Sequence, residues 1–205
     1  MNLLDQVIAN IKNHLDSTEY SSKNLHNDFF ININNHWCFI EVQRSVSSTK
    51  DYLKFTMNFG INIPFEKSIS KLNNVRKISK LKFQLNDRIG FFLPIAKDYW
   101  WLITDEYSMK SVCDEILSII NDTIIPLFIK YTDQENILQL CKDDSSNRWF
   151  IDKYNKYRFI VLFYKHQKSN NFNKALQKLL DYSVELDLVE ETKTFLQENG
   201  IHNGL

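Results

Sequence analysis

From Tyr52 to Ile63 the chain alternates apolar and polar residues without a break. Leu53, Phe55, Met57, Phe59, Ile61 and Ile63 fall on one parity, and Tyr52, Lys54, Thr56, Asn58, Gly60 and Asn62 on the other. A period of two is the signature of a strand that buries one face. Phe29 to Ile33 and Trp37 to Val46 also read as strands. Asn34-Asn35 can supply the positive φ of a tight hairpin turn, and Ser47 to Lys50 is a short polar loop. The three stretches therefore predict an antiparallel meander. Ahead of them, Leu4, Val7, Ile8, Ile11 and Leu15 recur at helical spacing, an amphipathic stripe that needs the sheet as its partner.

Downstream the signal weakens and then changes period. Residues 66 to 82 carry Lys67, Lys71, Arg76, Lys77, Lys80 and Lys82 with no acid after Glu66, and read as a loop containing a helical turn. Asp87 to Leu93 alternates Ile89, Phe91 and Leu93 against Arg88, Gly90 and Phe92 before Pro94 closes it, and Tyr99 to Ile103 is a short aromatic strand. From Ser108 the spacing of Val112, Ile116, Ile119, Ile120 and Thr123 is helical, with Pro126 kinking or restarting the helix. Thr132 and Glu135 stand at capping-box spacing before Ile137, Leu138 and Leu140. Tyr157 to His166 fits either a buried helix or a strand. Phe172 to Ser183 and Val189 to Glu198 predict a helical hairpin with an acidic tail.

These patterns predict an α+β protein: an antiparallel sheet of about five strands with an N-terminal helix and a C-terminal helical set. The expected division is an α+β sheet domain over residues 1-131 and a helical C-terminal extension over 132-205 packed on it. The 205 residues suffice for a real core, and a hydrophobic fraction of 43% excludes a disordered chain.

Charge narrows the function classes. Twenty-five basic residues balance 25 acidic ones, which argues against a surface built throughout to neutralise phosphates. The basic stretch 67-82 could track a nucleic-acid backbone, but such a run more often forms a solvated loop. Cys38, Cys113 and Cys141 form no CxxC pair and no disulfide framework, so a reducing compartment and buried thiols are expected. Met1 to Leu15 carries no export signal, and the longest apolar runs are far short of a bilayer span, which makes the cytoplasm the expected location and a membrane an excluded partner. His14, His26, His36, His166 and His202 show no metal-ligand spacing. The four glycines cannot build a phosphate loop, so no metal and no cofactor are expected.

Three segments in order carry a resemblance: Phe55, Asn58, Gly60 and Ile61 after Gln43; then Arg88-Ile89-Gly90; then Asp98 followed by Trp100-Trp101. Over roughly residues 1 to 140 the chain resembles the bacterial domain of unknown function numbered 4304. The resemblance implies a bacterial cytoplasmic protein with an α+β sheet domain followed by helices. It supplies no activity.

Strand parity turns these residues into a candidate surface. With Cys38, Ile40 and Val42 buried, Trp37, Phe39, Glu41 and Gln43 point to the opposite face, where Lys54, Thr56 and Asn58 also lie. A four-residue loop at 47-50 would set Glu41 opposite Thr56, Phe39 opposite Asn58 and Trp37 opposite Gly60. Arg88 and Gly90 would join the same face. A planar guanidinium, the amides of Gln43 and Asn58 and the nearby rings have the composition of a binding patch. Alternatively, Arg88 pairs with Glu41 or Asp98 and the rings are covered. Only one ring of Trp100-Trp101 can enter the core, leaving the other exposed or under a helix.

No catalytic set is evident. The sequence therefore points to a non-enzymatic protein-binding module, an interaction, immunity or accessory factor, whose site residues are Glu41, Gln43, Asn58, Arg88, Trp100 and Trp101. The rival readings are a small-ligand protein or enzyme with a polar pocket on that face, and a nucleic-acid module using the basic loop. Partner identity and oligomeric state are not set by the sequence.

Overall fold

The computed structural model describes residues 2–49, 51–62, 72–81, 83, 85–142 and 153–202. The chain divides into two compact units, Met1–Asp133 and Gln134–Leu205.

The first unit opens with helix α1 (Leu3–Asp16), held at its start by a reciprocal cap. The Asp5 amide donates to the Asn2 side chain at 2.8 Å, and the Asn2 amide donates back to the Asp5 carboxylate at 3.3 Å. Its buried stripe is Val7, Ile11 and Leu15. Strands β1 (Ser21–Leu25), β2 (Asp28–Ile33), β3 (His36–Arg44) and β4 (Leu53–Ile61) follow as an antiparallel meander. After a short helix, α2 (Val75–Ile78), strand β5 (Leu85–Arg88) pairs with Asn58 to Ile61 of β4. Strand β6 (Trp101–Ile103) pairs with Leu53 to Phe55 on that same edge. Helix α3 (Glu106–Ile119) passes through a π turn at Ile120–Ile124 into α4 (Ile125–Tyr131). The wide turn precedes Pro126, whose ring would collide with the carbonyl four residues back, and the Ile125 amide reaches Ile120 instead.

One face of the sheet forms the main core. Phe29, Ile31 and Ile33 of β2, Cys38, Ile40 and Val42 of β3, and Leu53, Phe55, Met57, Phe59 and Ile61 of β4 are all at most 3% exposed. Trp101 joins them, its ring 5.5 Å from that of Phe55. The alternation from Tyr52 therefore marks the core face as expected; Ile63 lies outside the described residues.

Four features of the sheet and its edges differ from the sequence expectation. Strand β1 is additional to the predicted strands, because Ser-Ser-Lys-Asn-Leu is an edge strand with little to bury and hence no apolar alternation. The stretch from Asp87 to Leu93 is not a continuous strand: β5 ends at Arg88 and Ile89–Phe92 is a 3-10 turn. The adjoining edge of β4 is taken by β6, and Gly90 is pressed against the backbone of Lys97 and Tyr99. Phe92, expected to point outward, meets the core ring of Phe59 edge-on at 5.1 Å. Third, the β3–β4 register is shifted by two residues, placing Glu41 opposite Asn58, Phe39 opposite Gly60 and Gln43 opposite Thr56. The connection leaves β3 at Arg44 and rejoins at Leu53, longer than the four residues assumed. Fourth, Trp37 and Phe39 do not belong to an open patch. They pack with Phe30, Ile78, Val75, Leu81 and Phe83 in a small apolar cluster covering one end of the second sheet face.

The second unit is helical: α5 (Gln134–Lys142), α6 (Lys153–His166), α7 (Phe172–Glu185) and α8 (Val189–Glu198). Residues 157 to 166 are thus helix. Tyr154, Val161, Ala175, Leu176, Leu179, Phe195 and Leu196 build its core, where the Tyr154 and Thr192 hydroxyls meet at 2.8 Å. The Thr132 hydroxyl, expected to cap α5, donates to the Ile129 carbonyl at 2.9 Å, closing α4.

Candidate functional site

The uncovered part of the second sheet face is organised around one rung. Asp28 of β2, Glu41 of β3, Asn58 of β4 and Arg88 of β5 are successive cross-strand partners, so they form a straight row across four strands. With adjacent strands about 4.8 Å apart, the row spans about 14 Å of backbone. It runs from two carboxylates at one end to a guanidinium at the other.

Asn58 is the pivot. Its amide Nδ2 donates to Glu41 Oε2 at 2.7 Å and to Gln43 Oε1 at 3.0 Å, so one side chain orders two neighbours on the next strand. Asp28 sits directly across from Glu41, and neither carboxylate forms an ion pair among the described residues. Burial, and then the Glu41 charge, raise the Asp28 carboxyl above its ordinary value, with His26 offsetting part of the rise.

The basic end is locked by Asp98. Its Oδ2 accepts from Arg88 Nη1 at 2.7 Å and from Trp100 Nε1 at 2.9 Å. Arg88 Cζ lies 5.3 Å from the centre of the Trp100 ring and Lys54 Nζ lies 5.5 Å from it, so the indole is flanked by two cations. Burial alone would raise the Asp98 carboxyl. The hydrogen bonds from Trp100 and Arg88, together with the charges of Arg88 and Lys54, outweigh it and hold the group below its ordinary value. Arg88 and Asp98 keep 33% and 42% of their side-chain surface open to solvent, so the platform is ordered without being covered. Leu102, paired with Lys54 across β4 and β6, exposes 51% of its surface beside it.

Thr56, which shares its strand face with Lys54 and Asn58, is fully buried. Its hydroxyl has no hydrogen-bond partner among the described residues.

Of the residues singled out from the sequence, Glu41, Gln43, Asn58, Arg88 and Trp100 share this face. Trp101 does not, because the strand period sends its ring into the core. Gly90 leaves the face with the 3-10 turn. Asp28 and Leu102 join the face in addition to the residues the sequence pattern points to. Asp28 was legible in principle: a two-residue turn at Asn34-Asn35, both with positive φ, fixes Ile33 against His36 and therefore Asp28 against Glu41. Of the basic stretch, Lys67, Lys71 and Lys82 lie outside the described residues, whereas Arg76 and Lys77 fall on α2 and Lys80 just after it.

Cys38, Cys113 and Cys141 are buried free thiols, and burial pushes each of them up, away from the reactive thiolate. Among the described residues no group of His, Cys, Asp and Glu side chains could hold a metal ion, and no helix is long and apolar enough to cross a membrane.

No curated protein and no solved structure matches the chain. The sequence model of the domain of unknown function DUF4304 matches residues 5–130, a span that contains every member of the rung and of the Asp98 platform. That match covers more than half of the 205 residues and nearly all of the first unit, and by it the chain belongs to the DUF4304 family.

Proposed function

We propose that this protein is a non-enzymatic binding module that docks a protein partner on the open half of its second sheet face. The observation carrying this reading is the Asp98 carboxylate, which holds Arg88 and Trp100 together at 2.7 and 2.9 Å while leaving the group exposed to solvent. An arginine and a tryptophan fixed before binding lose little side-chain entropy on association, and these two residue types dominate the energetics of protein interfaces. Leu102 adds exposed apolar area next to them.

Charge sets the partner's chemistry. Asp28 and Glu41 face each other across adjacent strands, a repulsion that His26 offsets only in part, and a lysine or arginine from the partner would relieve the rest. The partner therefore places an apolar side chain on Trp100 and Leu102 and a cationic head by Glu41.

The test is co-purification from the native host, followed by titration of the purified candidate against wild type, Leu102→Glu and Glu41→Lys. A saturable complex weakened about tenfold or more by each substitution supports the reading, because each removes a named contact. A complex that tolerates both substitutions overturns it.

A further inference from the structure

We infer that the second unit, outside the segment matched by the family, carries a binding site for a small phosphate-bearing molecule with a flat ring. A cavity of about 340 Å³ lies within this unit, in the size range of small-ligand sites. Three helices line it. The face of α6 supplies Tyr157, Ile160 and Tyr164; the first two turns of α7 supply Asn171, Lys174, Ala175 and Lys178; and the end of α5 supplies Cys141 and Lys142.

Among the described residues the lining is one-sided in charge: three lysines and no acid. None of Lys142, Lys174 and Lys178 forms an ion pair with a described carboxylate, although the unit is rich in acids. Lys174 and Lys178 stand four apart on α7 and so share a face, directed with Asn171 toward the same space. Asn171 is the N-cap of α7 yet makes no side-chain capping bond, leaving its amide and the positive end of a 14-residue helix for an anion. These features together, on a cavity wall, fit a phosphate better than a carboxylate, since one group must satisfy two or three ammonium donors at once.

The opposite wall selects the rest of the ligand. Tyr157 and Tyr164 are one face of α6 seven residues apart, with Ile160 between them, and Lys142 already lies 5.9 Å from the centre of the Tyr164 ring. Two rings flanking an aliphatic floor present π surface to a planar group while the phosphate meets the lysines.

Calorimetric titration of the full chain with ATP, tripolyphosphate and adenosine tests this at low salt. The expected result is saturable one-site binding of ATP, weakened about tenfold in the Lys174→Glu/Lys178→Glu double variant and unchanged in Lys110→Glu, a charge change outside the cavity. Tyr164→Leu, which keeps the bulk and loses the ring, should weaken ATP and leave tripolyphosphate unchanged. Circular dichroism establishes that each variant is folded, and both lysines are exposed, so their replacement spares the core. Absence of saturable ATP binding by the folded wild type overturns the inference, as does an equal loss in Lys110→Glu. Tripolyphosphate binding as tight as ATP, insensitive to Tyr164→Leu, would overturn the ring half of the site.

Discussion

Asn58 stands directly opposite Glu41 on the neighbouring strand and donates its amide to the Glu41 carboxylate at 2.7 Å. The same nitrogen also reaches Gln43 at 3.0 Å, so an uncharged side chain neutralises the polarity of a half-buried rung that a second acid would disrupt. Asn58→Asp replaces that donor with a carboxylate facing the Glu41 carboxylate, while Arg88 on its other side is already engaged by Asp98 and offsets the repulsion only in part. It should destabilise the fold by about 1 to 3 kcal/mol at pH 7, and the loss should shrink as the pH falls through the carboxylate range. Urea melts of wild type and variant at pH 7 and pH 4 measure this; equal midpoints at pH 7 would contradict the geometry.

Gly60 permits the close approach of Phe39. A Cβ at this position would collide with Phe39 Cε1, lie 2.6 Å from the Leu85 carbonyl oxygen and lie 2.9 Å from Asn86 Cβ. Gly60→Ala should therefore cost about 2 to 4 kcal/mol, by displaced ring and strained sheet pairing. Adding Phe39→Ala should not restore stability, because the Leu85 carbonyl belongs to the β5 backbone and cannot swing away.

Thr56 gives the opposite sign. Its hydroxyl is fully buried and unpartnered among the described residues, so its desolvation is uncompensated. Thr56→Val preserves the shape and removes the polar atom. The variant is expected to be as stable as wild type or more stable by about 1 kcal/mol, read from the denaturation midpoint.

Two groups make stability depend on pH in opposite directions. Burial holds the His36 ring, whose Nδ1 lies 3.3 Å from the Asn62 carbonyl, below its ordinary value of 6.5, with that backbone contact opposing the drop. A lowered histidine is neutral in the folded state while the unfolded chain takes up a proton, so its contribution is full above pH 6.5 and declines as the pH falls below it. Asp28 is raised above 3.8, first by burial and then by Glu41, so the folded state binds its proton more tightly and the ionised group weakens the fold at neutral pH. Asp28→Asn should stabilise at pH 7 and lose that advantage below the carboxylate range. His36→Gln should flatten the fall in stability as the pH drops below 6.5. Melting temperatures of the two variants across pH 3 to 8 separate the effects.

The Arg88, Asp98 and Trp100 platform behaves as a unit if Asp98 is its clasp. A double-mutant cycle on Arg88→Ala and Asp98→Ala should show a coupling of about 0.5 to 1 kcal/mol, reduced by salt because both groups are partly exposed. Additive effects would mean that the ion pair does not order the platform.

Much of this was legible in the sequence because it is local. The two-residue period of the strands fixes which side chains face the core, and it put Glu41, Gln43, Asn58 and Arg88 on the other side of the sheet from Phe55 and Phe59, while leaving open which ring of Trp100-Trp101 enters the core. Helical stripes likewise located α1 and the hairpin of α7 and α8, and the order of Gln43, Asn58, Arg88, Asp98 and the Trp pair carried the family.

Register and path required the tertiary structure. A shift of two residues between β3 and β4 leaves every side chain on its own face, so the hydrophobic pattern cannot distinguish Glu41 opposite Thr56 from Glu41 opposite Asn58. That choice depends on the connection from Arg44 to Leu53 and on Phe39 settling against the bare backbone of Gly60. The chain's exit from β5 into a turn at Ile89 depends on β6 holding the remaining edge of β4, a contact between segments over forty residues apart. Face is a property of a strand alone and was readable from its alternation. Partnership is a property of two strands and the turn between them, and only packing decided it.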